Sequence, residues 1–194
     1  MLKRVTLLSI ILLLFAGLVI AQETAAPGET ITFGNPKAQN RVEVFYDLQC
    51  TACAPFHMSL KQIVERNPEA VFVIVRHFPL PLHDRAFMAS SVAEAAKKQG
   101  KGIEMVDLLL QEQSKWSTAQ RSFPMIQKYA TSLGLDLKKF QKDISSDETI
   151  LFVLRDISRA RRLEVTSTPT AFLNGKQLTF AESQQLEKII SKGN

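Results

Sequence analysis

Strand-like sequence near the start of the globular part of this chain points to a parallel pair of strands. Residues 41–46 and 71–78 are rich in β-branched and aromatic residues, which is typical of largely buried strands. Apolar residues at spacings of three and four over 54–66 predict a helix between them, and a weaker strand is expected at 30–33. The order strand, helix, strand predicts a βαβ unit.

The second set of strands comes only after a long helical stretch, over about residues 83–163. Residues 170–173 and 176–180 predict a hairpin with a tight turn at Asn174 and Gly175, followed by a final helix over 182–192. One sheet can include both sets only if the helical stretch is an insertion. Within that stretch we predict helices at 86–98, 103–110, 123–133, 137–144 and 149–162.

Composition excludes several classes of protein. The chain has 194 residues, 45% of them hydrophobic, and two cysteines, so it has enough apolar sequence for a core without a disulfide framework. The net charge is +5, which falls to +3 without the two basic residues Lys3 and Arg4. Because acidic residues are mixed with basic ones along the chain, we expect no nucleic-acid partner.

The amino terminus resembles a targeting segment. A basic start at 1–4 precedes a nearly unbroken apolar run over 7–20, and Val19 and Ala21 are small enough for a cleavage site. We therefore expect residues 1–21 to be a signal peptide or an uncleaved N-terminal anchor, and 22–29 to be a flexible arm before a domain over 30–194. Either outcome predicts a periplasmic or other extracytoplasmic location.

Both cysteines fall in the tetrapeptide Cys50-Thr51-Ala52-Cys53, directly after a predicted strand and at the start of a predicted helix. Residues three apart on a helical turn lie within the Cα distance that a disulfide permits. Backbone N–H groups and the helix dipole favour a thiolate at Cys50, so Cys50 is the expected nucleophile. Cys53 lies one turn further, on the apolar face, and burial is expected to keep it protonated until it resolves a mixed disulfide.

Two other interpretations of the cysteine pair remain open. Half of a zinc site is one, but the three histidines do not have the spacing of a second ligand pair, so no metal ligand is predicted. A purely structural disulfide is the other, although so small a loop adds little stability.

The segments VEVFYDLQCTACAPFH, RHFPLPLH and STPTAFLNGK resemble the DsbA-like thiol-disulfide oxidoreductases, exported bacterial proteins of the thioredoxin superfamily. The resemblance covers about residues 31–192. It implies an α/β thioredoxin-like fold, with βαβ and ββα halves and an inserted helical subdomain. It also implies that Cys50 and Cys53 are catalytic, and that Thr168 and a cis Pro169 pack beside them and bind extended substrate.

The same resemblance implies a function. The Cys50–Cys53 disulfide would pass to reduced or unfolded proteins without a further cofactor, and a quinone-linked membrane partner of the DsbB or vitamin K epoxide reductase type would restore it. A reductase or isomerase with the same residues is one alternative. A metal-binding module that holds copper with the two thiolates is another.

The chain departs from the family pattern in two respects: the group that would take the proton of the inner cysteine, and the groups that would stabilise the Cys50 thiolate. Many relatives carry a buried acid six residues before the first cysteine, where this chain has Val44; Glu43 is expected on the opposite face, and Asp47 is a weak substitute. Both acids are expected to reach solvent or to cap a loop. A helix terminus alone predicts a Cys50 pKa of roughly 7, because about 2 kcal/mol corresponds to about 1.5 pH units.

Three further features are expected to be structural. His57 is predicted to be a partly exposed helix residue, and Trp116 is predicted to anchor a turn between helices. Arg155, Arg159 and Arg162 share one helix face, which is predicted to be solvated.

Overall fold

The computed structural model describes residues 30–192. The predicted signal or anchor over 1–21 and the predicted arm over 22–29 lie outside the described residues, as do the last two residues of the predicted domain. Within the described range, no helix combines the length and the apolar character that crossing a membrane requires.

A single mixed sheet organises the described part of the chain. Its order is β1-β3-β2-β4-β5, with β2 and β3 parallel and the other neighbouring pairs antiparallel. The strands are β1 (Ile31–Gly34), β2 (Asn40–Tyr46), β3 (Val71–His77), β4 (Thr170–Leu173) and β5 (Lys176–Gln177). The structure therefore confirms the predicted βαβ and ββα halves, with strand ends within one or two residues except at β5.

One helix lies within the first half of the sheet, six lie between the two halves, and two follow the second half, among residues 30–192. They are α1 (Cys53–Arg66), α2 (Ala86–Lys97), α3 (Gly102–Gln111), α4 (Gln113–Ser117), α5 (Phe123–Ser132), α6 (Leu137–Ile144), α7 (Asp147–Arg162), α8 (Phe180–Gln184) and α9 (Leu186–Lys192). Helices α2 to α7 lie between β3 and β4 in the chain, as the predicted insertion requires. Helix α4 was not predicted.

Alternation along β2 divides the core between the two faces of the sheet. Val42, Val44 and Tyr46 are fully buried in the larger cluster, which includes residues of α1, α2, α3 and α9. Phe45 points to the other face, where it packs edge-on against Phe172, with ring centroids 5.8 Å apart, beside residues that follow or belong to α7. The α1 face of β2 is therefore the face beneath the cysteines.

The prediction of a strand over 176–180 was wrong at its carboxyl end. Thr179 caps α8 instead: its side chain accepts a hydrogen bond from the Glu182 N–H, and the Glu182 carboxylate accepts one from the Thr179 N–H. This reciprocal cap removes Phe180 from the ladder and begins a helix there. The predicted final helix over 182–192 is correspondingly two short helices.

Candidate active site

Cys50 lies in the turn between β2 and α1. Its N–H donates to the Asp47 carbonyl at 3.0 Å, and the Cys53 N–H donates to the Cys50 carbonyl at 3.0 Å. Helix α1 begins at Cys53, so Cys50 precedes the helix rather than lying in its first turn. No side chain caps α1, and its first N–H groups are available to a negative charge on the Cys50 sulfur.

The surroundings of Cys50 lower its pKa to about 5. The hydrogen bond from the Cys53 thiol is the largest cause, and it outweighs the opposing effect of partial burial. The Thr168 side chain and the backbone N–H groups of Ala52 and Cys53 also favour the thiolate. The value is lower than the value of roughly 7 expected from a helix terminus alone, because two neighbouring side chains add to the backbone effect.

Cys53 has the opposite environment. Its side chain is fully buried, and both cysteines are free thiols in the structure. Burial raises the pKa of the Cys53 thiol, and the hydrogen bond to Cys50 and the charge on Cys50 raise it further. The surroundings therefore favour a thiolate at the partly exposed Cys50 and a protonated thiol at the buried Cys53.

Thr168 and Pro169 lie beside the cysteines, although they are more than a hundred residues away in the chain. The Thr168–Pro169 peptide bond is cis. The Cys50 sulfur is 3.4 Å from the Thr168 carbonyl oxygen, to which the thiol form donates. The Thr168 hydroxyl is buried and has no partner of its own, so it is available to donate to a thiolate.

Asp47 is buried, and its carboxylate holds the loop that follows β3. Its carboxylate accepts hydrogen bonds from the Gln49 N–H at 2.7 Å and the Leu80 N–H at 2.8 Å, and contacts His83 Nδ1 at 2.7 Å. This is the loop-capping role that the sequence predicted for it. The contacts with Leu80 and His83 tie the segment after β3 to the turn that carries Cys50, and the contact with Gln49 lies within that turn.

Gln113 is a site residue that the sequence analysis missed. Its side-chain amide donates to the Leu48 carbonyl at 2.8 Å and to the Cys50 carbonyl at 2.9 Å. Gln113 belongs to α4, so the helical insertion directly supports the turn that carries Cys50. No local motif marks this glutamine in the sequence, since its partners lie more than sixty residues away. Trp116 in the same helix is buried, and its indole N–H donates to the Leu109 carbonyl at 2.6 Å.

Three of the predicted solvent-facing residues are instead paired. His57 was predicted to be partly exposed but is fully buried, because it follows Cys53 by one turn on the apolar face of α1. Arg159 was predicted to be solvated but makes a two-pronged contact with Glu43, at 2.6 and 2.8 Å. Glu43 does lie on the opposite face from Cys53, as predicted, but it is bound by Arg159 and Arg76 rather than reaching solvent.

A cavity of about 640 Å³ lies beside the site, lined by Ala52 of the CxxC turn and by Thr168 and Pro169. Its walls come from the first turns of α1, the segment around Pro169, and the start of α8, including Ala52, Phe56, Pro169, Leu178 and Phe180. The Phe180 side chain is 82% exposed at its rim. The walls mix these apolar residues with serine, threonine and glutamine side chains, a combination that can take an apolar side chain of another chain and hydrogen-bond to its backbone.

Across residues 30–192, no group of three or more His, Cys, Asp or Glu side chains is arranged to hold a metal ion.

Comparison with known proteins supports the fold. A thiol-disulfide exchange protein of Wolbachia pipientis, alpha-DsbA2, is 19% identical with a TM-score of 0.73, over 85% of this chain and 87% of its own. A thioredoxin-like oxidoreductase of Silicibacter pomeroyi is 22% identical with a TM-score of 0.71, over 87% of this chain and 93% of its own.

A curated relative is much longer. The chain is 30% identical over 149 residues to a Na⁺/H⁺ antiporter, NhaA 1, of Mycolicibacterium gilvum. The match covers 74% of this chain but only 23% of the antiporter.

The family model described as Thioredoxin matches residues 26–192. With the sheet order, the cysteine pair and the Thr168–Pro169 segment described above, the chain belongs to this thioredoxin family, and its fold is that of the DsbA-like proteins.

Proposed function

We propose that this chain is an exported protein thiol-disulfide oxidoreductase that passes a Cys50–Cys53 disulfide to reduced protein substrates. The observation that carries the proposal is the pairing of a Cys50 thiol whose pKa is about 5 with a buried, protonated Cys53. A stabilised thiolate favours the reduced form of the pair, and a pair that is stable when reduced is a strong oxidant. This supports the oxidase direction over the reductase or isomerase alternative.

The reaction is two successive exchanges. A substrate thiolate attacks the Cys50 sulfur, the Cys50–Cys53 bond breaks, and Cys53 leaves and takes up a proton. A second substrate thiolate then attacks the substrate sulfur of the mixed disulfide and expels the Cys50 thiolate. The substrate loses two electrons and gains a disulfide, while the Cys50–Cys53 pair gains them. No cofactor other than this disulfide is needed.

Substrate binding is assigned to Thr168, Pro169 and the adjacent cavity. An extended segment of substrate would pair with the backbone of Thr168 like an added strand, which brings its cysteine next to Cys50. The apolar residues of the cavity wall, Phe56, Leu178 and Phe180 among them, would then contact a neighbouring apolar side chain of an unfolded protein. Folded proteins hide such side chains, so the arrangement favours reduced, unfolded chains.

The proposed location follows from the amino-terminal sequence, and the proposed reoxidation follows from the resemblance to the DsbA-like proteins. Residues 1–21 would direct the chain out of the cytoplasm as a signal peptide or anchor, 22–29 would serve as an arm, and 30–194 would form the catalytic domain with its insertion at about 83–163. Outside the cytoplasm the disulfide persists. A quinone-linked membrane protein would accept the two electrons from the reduced pair.

The equilibrium potential of the pair tests the proposal. We expect the purified protein, equilibrated in glutathione buffers, to have a potential much closer to about −120 mV than to about −270 mV, since the former is typical of an oxidase and the latter of a reductase. A value near −270 mV would move the function to the reductase alternative. Stoichiometric copper in the purified protein, with no exchange activity, would favour the metal-binding alternative.

A further inference from the structure

A buried histidine one helical turn after Cys53 is paired with an aspartate of another helix. His57 has no exposed surface, and its Nε2 is 2.6 Å from Asp107 Oδ1. Asp107 comes from α3, and its other oxygen accepts a hydrogen bond from Lys61 at 3.0 Å. The Asp107 side chain is 22% exposed, so this pair connects the buried side of α1 with solvent.

The charge on Asp107 determines which nitrogen of His57 is free. Burial acts to raise the pKa of Asp107, but hydrogen bonds from His57 and Lys61 outweigh it and lower the pKa. Asp107 is therefore ionised at neutral pH, so His57 Nε2 must carry the hydrogen of the short contact. In a neutral imidazole Nδ1 then holds a lone pair, and this atom is buried with no hydrogen-bond partner. A carboxylate that orients a histidine in this way also stabilises its protonated form.

Cys53 lies one helical turn before His57 and is a buried thiol that must lose its proton before it can attack a disulfide. Residues four apart on a helix are neighbours, and helical side chains lean towards the amino terminus, so His57 leans towards Cys53. Both side chains are fully buried on this face of α1. Tyr46 of β2 packs edge-on against His57, with ring centroids 5.6 Å apart, and Phe33 of β1 packs at 5.7 Å.

Tyr46 lies in the same buried region as His57. Its hydroxyl is buried without a hydrogen-bond partner. Burial raises the pKa of Tyr46, and negative charge on Cys53 and on Asp107 raises it further, so both charges act on one buried region. The titratable or charged groups around this region come from four parts of the fold. The turn before α1 supplies Cys50, α1 supplies Cys53, His57 and Lys61, β2 supplies Tyr46, and α3 supplies Asp107.

Asp47 is the competing candidate, and its bonding argues against it. Its two oxygens already hold the Gln49 and Leu80 N–H groups and His83. Val44, which lies on the same face of β2 as Tyr46, supplies no acid or base. His57 Nδ1, in contrast, is buried with no hydrogen-bond partner, so it can accept a proton without breaking an existing hydrogen bond.

We propose that His57, positioned by Asp107, carries the proton of Cys53 during disulfide exchange. When the Cys53 thiol attacks the mixed disulfide on Cys50, its proton passes to His57 Nδ1, the Cys50–Cys53 bond forms, and the substrate leaves as a thiolate. In the opposite direction His57 returns the proton to the Cys53 sulfur as that bond breaks. The inference rests on the proposed function, and here Cys53 and His57 are the reacting groups while Asp107 is a positioning residue.

A two-phase reaction separates the role of His57 from that of Cys50. The reduced protein is mixed with dithiobis(nitrobenzoate), an aromatic disulfide that releases one coloured thiolate when Cys50 attacks it. A second coloured thiolate is released when Cys53 attacks the mixed disulfide on Cys50. The first phase therefore measures Cys50, and the second measures deprotonation and attack by Cys53. Cys53→Ala must abolish the second phase.

We expect Asp107→Asn and His57→Phe to slow the second phase at least tenfold and to leave the first within about twofold, because a positioned base contributes about 10²-fold or more. In both variants the rate of the second phase should rise about tenfold per pH unit, since hydroxide must then remove the proton. The wild-type rate should level off instead. A loss of packing would not change the slope of this pH profile.

Lys61→Gln is the matched control. It removes the other partner of Asp107 and leaves the contact with His57, so its second phase should keep the wild-type pH profile. The mild Asp107→Asn change keeps the inference testable if His57→Phe does not fold. A wild-type second phase in Asp107→Asn, at all pH values, would overturn the inference. The absence of a second phase in the wild-type protein would instead contradict the proposed function.

Discussion

Replacing Cys53 with alanine should trap a covalent complex between Cys50 and a disulfide-bonded substrate protein. Cys50 attacks the substrate disulfide, one substrate thiolate leaves, and the mixed disulfide persists because no second thiol of this chain lies within reach. Non-reducing electrophoresis and mass spectrometry would detect the complex. The wild-type protein should release its substrate, and Cys50→Ala should lower the turnover rate at least about 10³-fold, since it removes the nucleophile itself.

The assignment of roles depends on the asymmetry between these two variants. Cys53 is fully buried, whereas Cys50 is partly exposed beside Thr168, so only Cys50 can be reached by a protein substrate. Cys50→Ala should therefore give no covalent complex. A complex formed through Cys53 in that variant would show that the roles are reversed.

Replacing Glu43 with alanine should cause the largest loss of stability away from the cysteines. Arg76 contacts its carboxylate at 2.7 Å, and Arg159 contacts it at 2.6 and 2.8 Å, with all three side chains mostly buried. Removing the carboxylate leaves two mostly buried guanidinium groups without their shared partner. Arg76 keeps its contact with Asp156 at 3.0 Å, so we expect a cost of about 3 kcal/mol, the low end of the range for breaking a buried ion pair. For a domain of this size we expect Tm to fall by roughly 6–12 °C.

An exposed ion pair provides the control for Glu43. Arg66 and Glu187 form a comparable two-pronged contact, but both side chains are about half exposed, so Glu187→Ala should cost less than about 1 kcal/mol. Burial acts to raise the pKa of Glu43, but contacts with Arg159 and Arg76 lower it overall. The stabilisation by Glu43 is therefore present at neutral pH and is lost as pH falls through its lowered pKa. Equal losses in the two variants would contradict this account.

The cysteine pair and the strands around it were predictable because their signals are local. Periodicity of two in β2 and β3, periodicity of three to four in α1, and the CxxC at their junction all lie within about residues 41–78. The apolar face of the predicted helix also predicted that Cys53 is buried.

Contacts between distant segments were not predictable in the same way. Gln113 reaches the Cys50 carbonyl across 63 residues, and Arg159 reaches Glu43 across 116 residues. A polar side chain in a helix is consistent with solvent exposure until the fold brings a partner to it. The sequence predicted a Cys50 pKa of roughly 7 because that value counted the helix end alone. It left out the hydrogen bond from the nearby Cys53 thiol, which is the largest cause of the lower pKa, and the smaller contribution of Thr168, which is 118 residues away.

His57 was mispredicted although its signal was available. It follows Cys53 by four residues and precedes Leu60 by three, so it shares the buried face of α1 with both. A histidine on an apolar face needs a buried partner, and α3 supplies Asp107. The helical spacing predicted the face correctly, and only the preference of histidine for partly exposed positions favoured the wrong environment.

The pH dependence of alkylation in the reduced protein tests the central claim most directly. A small alkylating reagent reacts with thiolates, so the rate at Cys50 follows the fraction of its thiolate. We expect the rate at Cys50 to reach half of its maximum near pH 5 and to be constant at neutral pH, while Cys53 stays unmodified in the folded protein. A midpoint near pH 8.5 for Cys50, or modification of Cys53 before Cys50, would contradict the account.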